Sequence, residues 1–169
     1  MAVLKIRDFP DPILKQVAES VRGVDDAVRK LLSDMAETMY SAPGIGLAAP
    51  QIGVSRRIIV VDVDWREQER NPRGFINPEI TFREGALTFE EGCLSVPEYQ
   101  SEVERSARVV VRALDRDGKP VEVEAVGLEA VCFQHELDHL DGKLFIDHIS
   151  RLKRSIYVKR RKKALAADG

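Results

Sequence analysis

Long hydrophobic runs are absent from this chain of 169 residues. The strongest, Ile58-Ile59-Val60-Val61, is far too short to cross a bilayer, so no membrane partner is expected. The opening Met1-Ala2-Val3-Leu4-Lys5-Ile6-Arg7-Asp8 lacks the apolar core of a signal peptide, which predicts a chain that stays in the cytoplasm where it is made. Cysteine is scarce. Cys93 and Cys132 could pair in principle, but without an export signal two reduced thiols are the simpler expectation. No repeat and no linker interrupts the chain, so one domain spanning 1–169 is expected. At 44% apolar and 32% charged residues, the composition is ordinary for a globular protein.

The small net charge of −2 conceals an uneven distribution. Residues 151–163 hold eight basic side chains and no acidic one, while the preceding 150 residues hold 18 basic and 27 acidic. An acidic body thus carries a basic tail. A solvated terminal helix explains the tail on composition alone; the sharper alternative is a docking element for a polyanion such as RNA.

Asp8-Phe9-Pro10-Asp11-Pro12 reads as a turn-rich opening. From about Asp25 to Ser41 the apolar residues Val28, Leu31, Leu32, Met35, Ala36 and Met39 recur at spacings of three and four, which predicts a helix capped by Asp25 and ended by Pro43-Gly44. A glycine-containing loop, Gly44 to Gln51, follows. Ile58 to Val63 reads as a buried strand, and Asp64 to Pro72 as a polar surface loop. Short strands are expected near 74–82, 86–89, 101–105, 107–114 and 120–126, the last two joined by the turn Asp115-Arg116-Asp117-Gly118. Gly127 to Leu140 is apolar almost all round and predicts a buried helix; Gly142 stands where a C-cap glycine belongs. A last helix should begin near Ser150. The fold class is therefore α+β: antiparallel strands wrapped around a central buried helix, with a C-terminal helix.

That central helix carries His135-Glu136-Leu137-Asp138-His139. Two histidines four apart lie one turn apart on one face and can chelate a divalent ion. Glu136 can reach water at that ion without being a ligand, which is the logic of the H-E-x-x-H pattern. Five residues can match by chance. On an apolar helix, however, two histidines and two acids are costly unless paired or ligating. A catalytic site needs a third protein ligand. Downstream, Asp141 and Asp147 are too near to fold back, and His148 reads as structural or exposed. Cys132 shares the helix face, but the ion should sit near the level of residue 137, about 7 Å along the axis. A thiolate bond of about 2.3 Å cannot close that gap. Cys93, in the glycine-containing Glu91-Gly92-Cys93-Leu94-Ser95, remains.

Three segments together resemble the motifs of peptide deformylases: Gly44-Ile45-Gly46-Leu47-Ala48-Ala49-Pro50-Gln51, Glu91-Gly92-Cys93-Leu94-Ser95 and Gln134-His135-Glu136-Leu137-Asp138-His139. They stand in the family's order, and Phe9-Pro10-Asp11-Pro12-Ile13-Leu14 is similar to its N-terminal segment. The likeness is to the bacterial type with a C-terminal helix, here the basic segment 151–163.

The resemblance implies Cys93, His135 and His139 as metal ligands, with Fe2+ as the ion and Zn2+, Ni2+ or Co2+ as possible substitutes. It implies removal of the formyl group from the initiator methionine of nascent polypeptides, releasing formate. Glu136 would move the proton. The Gln51 side-chain amide and the Leu94 backbone N–H would donate to the oxygen that gains negative charge. Ile45 and Gly46 would offer backbone groups to an extended substrate. Phe89, Leu128, Val131 and Cys132 would line the methionine pocket, and plain core packing is the alternative for them. Arg105 would pair with Glu91 as structural support. Asp138 reads equally as a support for a ligand or as a buried ion-pair member. The implied partners are N-formylmethionyl peptides and, through the basic helix, the ribosome near the nascent-chain exit; DNA is not among them. Removing the chain after Ser150 should then weaken ribosome binding while sparing cleavage of short formyl peptides.

Two other readings fit parts of the sequence. A zinc endopeptidase would use the same H-E-x-x-H chemistry but expects a third ligand downstream. A nucleotide- or RNA-binding module is suggested by Gly44-x-Gly46-x-x-Ala49, yet that loop needs a strand before it and a helix after it.

Overall fold

The computed structural model describes residues 2–168. Helix α1 (Asp26–Ser41) starts where the Asp25 carboxylate accepts the Val28 N–H at 3.0 Å. Val28, Leu32, Met35, Ala36 and Met39 are buried along one face, while Leu31 is half-buried. The helix ends at the proline and glycine, with Gly44 N–H donating back to Met39 O at 2.7 Å.

Strands β1 (Gly46–Ala48), β2 (Ile58–Val61), β3 (Arg73–Glu84), β6 (Arg108–Leu114) and β7 (Pro120–Val126) form one antiparallel sheet in the order β1-β2-β3-β6-β7. All four residues of β2 are buried, which is why its apolar run is unbroken. Between β6 and β7, Asp115 Oδ1 accepts the N–H groups of Asp117 and Lys119, and Gly118 takes the left-handed conformation (φ +79°) that the turn demands. Strands β4 (Leu87–Cys93) and β5 (Val96–Arg105) make a separate hairpin.

Helix α2 (Gly127–Leu140) packs against β1, β2, β6 and β7 and is buried along most of its length. Phe133 meets Phe75 edge-on, with ring centroids 5.1 Å apart. The expected central helix wrapped by antiparallel strands is thus observed. Just past it Gly142 (φ +75°) lies against the Lys15 carbonyl, where a Cβ would collide.

The elements differ from the sequence expectation most in β1 and in the β4–β5 hairpin. β1 falls inside the segment read as loop, because its three residues pair only when β2 offers them an edge. β4 and β5 run longer than expected: Glu90 and Gly92, which break an alternating pattern, are held by pairing with Glu102 and Gln100, and β5 continues through Pro97 and Glu98 at a register slip. Their register slips between Gly92–Gln100 and Cys93–Val96, so that Pro97, Glu98 and Tyr99 of β5 stand opposite the single step from Gly92 to Cys93.

Helix α3 (Arg151–Asp168) outruns the basic segment. It is more than a solvated tail. Tyr157 is 2% exposed, packs with Phe9, Val96 and Phe145, and donates to Pro97 O at 3.2 Å. Arg161 donates to Phe9 O and pairs with Asp8, Arg160 donates to Glu98 O, and Arg154 pairs with Asp147. Removal after Ser150 would therefore uncover an apolar cluster that reaches Cys93, and the expectation that truncation spares catalysis does not follow. No helix among the described residues is long and apolar enough to cross a membrane.

Candidate metal centre and substrate cleft

Three elements meet at the site. Helix α2 supplies His135, Glu136 and His139; the end of β4 supplies Cys93; the 3-10 turn Ala49–Ile52 after β1 supplies Gln51. Cys93 Sγ lies 3.3 Å from His139 Nε2, and ligand atoms of Cys93, His135 and His139 all lie within 4.8 Å of one another. Tetrahedral bonds of about 2.0–2.3 Å separate neighbouring donor atoms by about 3.3–3.8 Å, which the Cys93–His139 pair matches, and the three are close enough together to hold one divalent ion. One thiolate and two imidazoles are also a chemically apt donor set. Cys132 stands outside the trio, as the helix geometry requires.

A chain of charged groups supports the second ligand. His135 Nδ1 lies 2.9 Å from Glu91 Oε1, which leaves Nε2 for the ion. Arg105 grips Glu91 with two hydrogen bonds, 2.7 and 2.8 Å, and reaches Asp138 with a third of 2.7 Å. His148 lies 2.8 Å from the same Asp138 oxygen. The expected Glu91–Arg105 pair is therefore observed. Asp138 resolves as an ion-pair member, and His148 as a partly exposed partner of that pair.

Burial and charge set the protonation tendencies. Burial pushes the Glu136 carboxyl up to about 7, with Glu91 and Asp138 adding to the shift. Burial also drives His139 well below the ordinary histidine range. For His135 burial acts downward too, but Cys93 and Glu91 outweigh it and raise it well above that range. Against the same penalty, hydrogen bonds from His148 and Arg105 hold Asp138 at about 2. Glu91 likewise sits below the usual carboxylate range, held by Arg105 and His135. Glu136 Oε1 is buried without a hydrogen-bond partner, so its lone pairs are available to water or to a reacting group.

A cleft of about 770 Å³ opens onto this centre. Leu128, Val131, Cys132, His135 and Glu136 line it from one face of α2; Ile45, Gly46, Gln51, Phe89, Glu91, Cys93 and Leu94 line it from the other side. Every substrate-binding residue expected from the sequence borders this one space, and Arg105 stands behind it. Phe89 and Leu128, each 39% exposed, form an open mouth, whereas Val131 and Cys132 are buried.

Gln51 is 2% exposed, and its amide is fixed at both ends. Oε1 accepts the Ala48 N–H at 3.0 Å, while Nε2 donates to Ser95 Oγ at 3.1 Å and lies 3.8 Å from Cys93 Sγ. The donor end thus faces the centre. Strand β1 is an edge strand. The Ile45 carbonyl accepts the Asp62 N–H at 2.9 Å, so antiparallel alternation turns the Gly46 backbone groups away from β2, toward the cleft.

Sequence reasoning gave no role to Ser95, which is fully buried, bonds Gln51 and offers its N–H to Cys93 Sγ at 3.4 Å. Its place two residues after Cys93 was the available signal. Tyr99 and Gln100, which also line the cleft, carried none, because the register slip in β5 brings them there.

The rivals fare poorly against this geometry. An endopeptidase site expects its third ligand after His139, yet the ligand-capable trio takes Cys93, far upstream. The dinucleotide loop expects a strand then a helix, yet Gly44-x-Gly46 follows α1 and leads into β1.

Residues 3–155 match the sequence model of the family described as polypeptide deformylase. The peptide deformylase of Phenylobacterium zucineum is 57% identical over 96% of this chain and 97% of its own. The crystal structure of a peptide deformylase from Legionella pneumophila superposes with a TM-score of 0.90 at 45% identity, covering 99% of both chains. That of the Ehrlichia chaffeensis enzyme in complex with actinonin gives 0.91 at 40% identity, over 97% of this chain and 98% of that one. Sequence and fold agree along nearly the whole length, and the chain belongs to the peptide deformylase family.

Proposed function

We propose that this chain is a single-domain metallohydrolase that removes the N-formyl group from the initiator methionine of nascent polypeptides. The observation that carries the reading is the convergence of Cys93, His135 and His139 beside the buried, unpartnered Glu136 carboxylate oxygen, in a cleft bordered by an edge strand. Cys93, His135 and His139 would hold the ion. Fe2+ is our reading of the resident ion, carried by the family likeness, and the donor set accepts Zn2+, Ni2+ or Co2+ as well. A divalent ion there supplies Lewis-acid activation of water and of the formyl oxygen.

The chain's own residues supply the rest. The formylated peptide lies along β1 as an added strand, with Gly46 presenting its backbone groups, while Ile45, whose carbonyl is held by the Asp62 N–H, lines the cleft instead of offering its backbone. The methionine side chain enters between Phe89, Leu128, Val131 and Cys132. Water adds to the formyl carbon, and Glu136, whose buried Oε1 has no hydrogen-bond partner, accepts its proton. Gln51 Nε2 and the Leu94 N–H donate to the oxygen that gains negative charge. The C–N bond then breaks, Glu136 returns its proton to the amine nitrogen, and formate leaves. Glu91 orients His135, and Arg105 holds Glu91.

Docking beside the ribosomal exit through exposed basic residues of α3 and a cytoplasmic location complete the proposal. The test is product identity. Iron-loaded protein given formyl-Met-Ala-Ser should yield formate and free Met-Ala-Ser. Cleavage inside the peptide with the formyl group retained would establish the endopeptidase alternative.

A further inference from the structure

Among the described residues, the segment Asp62–Arg66 shares no hydrogen bond with a candidate metal ligand, yet it bonds three consecutive carbonyls of the loop that leads into β1. The Asp62 N–H donates to Ile45 O at 2.9 Å, Trp65 Nε1–H to Gly44 O at 2.8 Å, and Arg66 Nη2 to Pro43 O at 2.7 Å. The segment is itself anchored. Asp62 Oδ2 accepts from the Tyr40 hydroxyl at 2.6 Å and from the Asn71 N–H at 2.9 Å. The Trp65 and Tyr40 rings meet edge-on at 5.2 Å, and the Arg70 guanidinium covers both, at 4.4 Å from the Tyr40 centroid and 5.2 Å from that of Trp65. Arg66 lies 5.1 Å from the Trp65 ring and also lines the cleft.

The gripped loop needs such anchoring. It contains Gly44 and Gly46, and glycine loses more freedom on ordering than any other residue. A strand that must be ordered when substrate arrives binds more weakly than one already in place. Its position is also narrowly set, since a Cβ on Gly46 would come within 2.5 Å of Glu136 Oε2.

We infer that Trp65 is a positioning residue for substrate binding: with Arg66 and Asp62 it clamps the Pro43–Gly46 backbone so that β1 presents a preformed edge to the formylated peptide. The inference rests on the deformylase reading above. Trp65 touches no reacting atom, and its contribution is to uniform binding, which appears in KM rather than in kcat.

Replacing Trp65 by Phe keeps an aromatic ring against Tyr40 and removes the donor to Gly44. Replacing the exposed Arg66 by Ala removes the donor to Pro43 and carries the test should Trp65→Phe not fold. With formyl-Met-Ala-Ser and iron-loaded proteins, KM should rise roughly three- to tenfold in Trp65→Phe and by less in Arg66→Ala, as befits loss of one hydrogen bond each. Values of kcat should stay within about twofold and metal content should be unchanged, because the defect lies in uniform binding. An active wild type with unchanged KM in both variants overturns the clamp and leaves the deformylase reading intact. Loss of kcat together with metal also overturns it, since Trp65 would then be supporting the centre rather than the strand. A wild type that releases no formate instead sinks the deformylase reading and the clamp with it.

Discussion

Gly46 and Glu136 stand so close that a methyl group on the glycine would lie 2.5 Å from the Glu136 carboxylate. The substrate strand and the proton carrier therefore pack directly on each other. Glu136 cannot yield easily, because α2 holds it buried. Gly46→Ala should move the carboxylate or the strand and lower kcat by about 10²-fold or more, the scale of a displaced acid–base group. Metal content should remain, since no ligand is disturbed. Steady-state kinetics with metal analysis checks both.

The ligand assignment separates the two cysteines. Cys93→Ala should bind little metal, whereas Cys132→Ala should keep about one ion per chain, the single-ion stoichiometry of a three-ligand catalytic site. Metal analysis after gel filtration decides. Full metal in Cys93→Ala would reopen the endopeptidase alternative.

Arg105 and Glu91 form a buried pair, their side chains 5% and 3% exposed. Breaking such a pair leaves an uncompensated charge and typically costs about 3–5 kcal/mol. Arg105→Ala should lose about that much in urea unfolding and misorient His135. Unchanged stability would show that Glu91 needs no partner.

Asp138 gives stability a defined pH window. Its folded value of about 2 lies below its ordinary 3.8. A depressed carboxylate contributes stability that is fully present above the unfolded value and is lost as pH falls through the folded one. About 2 kcal/mol should therefore disappear between about pH 4 and pH 2. Urea unfolding across that range checks it, and Asp138→Asn should flatten the curve.

Docking through α3 should depend on its free charges. Lys159, Lys162 and Lys163 are exposed, whereas Arg154, Arg160 and Arg161 hold the helix to the body. Replacing the three lysines by glutamate should weaken salt-sensitive ribosome binding and leave cleavage of a short formyl peptide unchanged. Sedimentation with ribosomes reads out the first effect and formate release the second.

Much of this was legible in sequence because it is written in local periodicity. Asp25 capping α1, the apolar helix ending at Leu140, and His135 and His139 one turn apart all follow from spacing. The third ligand was legible only by elimination and family likeness, since no local pattern links Cys93 to a helix so far downstream. What stayed hidden depends on pairing between distant segments. β1 exists because β2 offers an edge, Tyr99 reaches the cleft because β5 slips register, and Tyr157 ties α3 to a core that no local spacing announces.

The central claim is that Cys93, His135 and His139 with Glu136 form a deformylating centre. The most direct test is formate release from formyl-Met-Ala-Ser by anaerobically purified, iron-loaded protein, set beside Glu136→Gln at equal metal content. Rapid formate release from the wild type and a loss of about 10²-fold or more in the variant are expected for a group that transfers the proton. No formate from wild-type protein loaded with iron, nickel or cobalt would contradict the account.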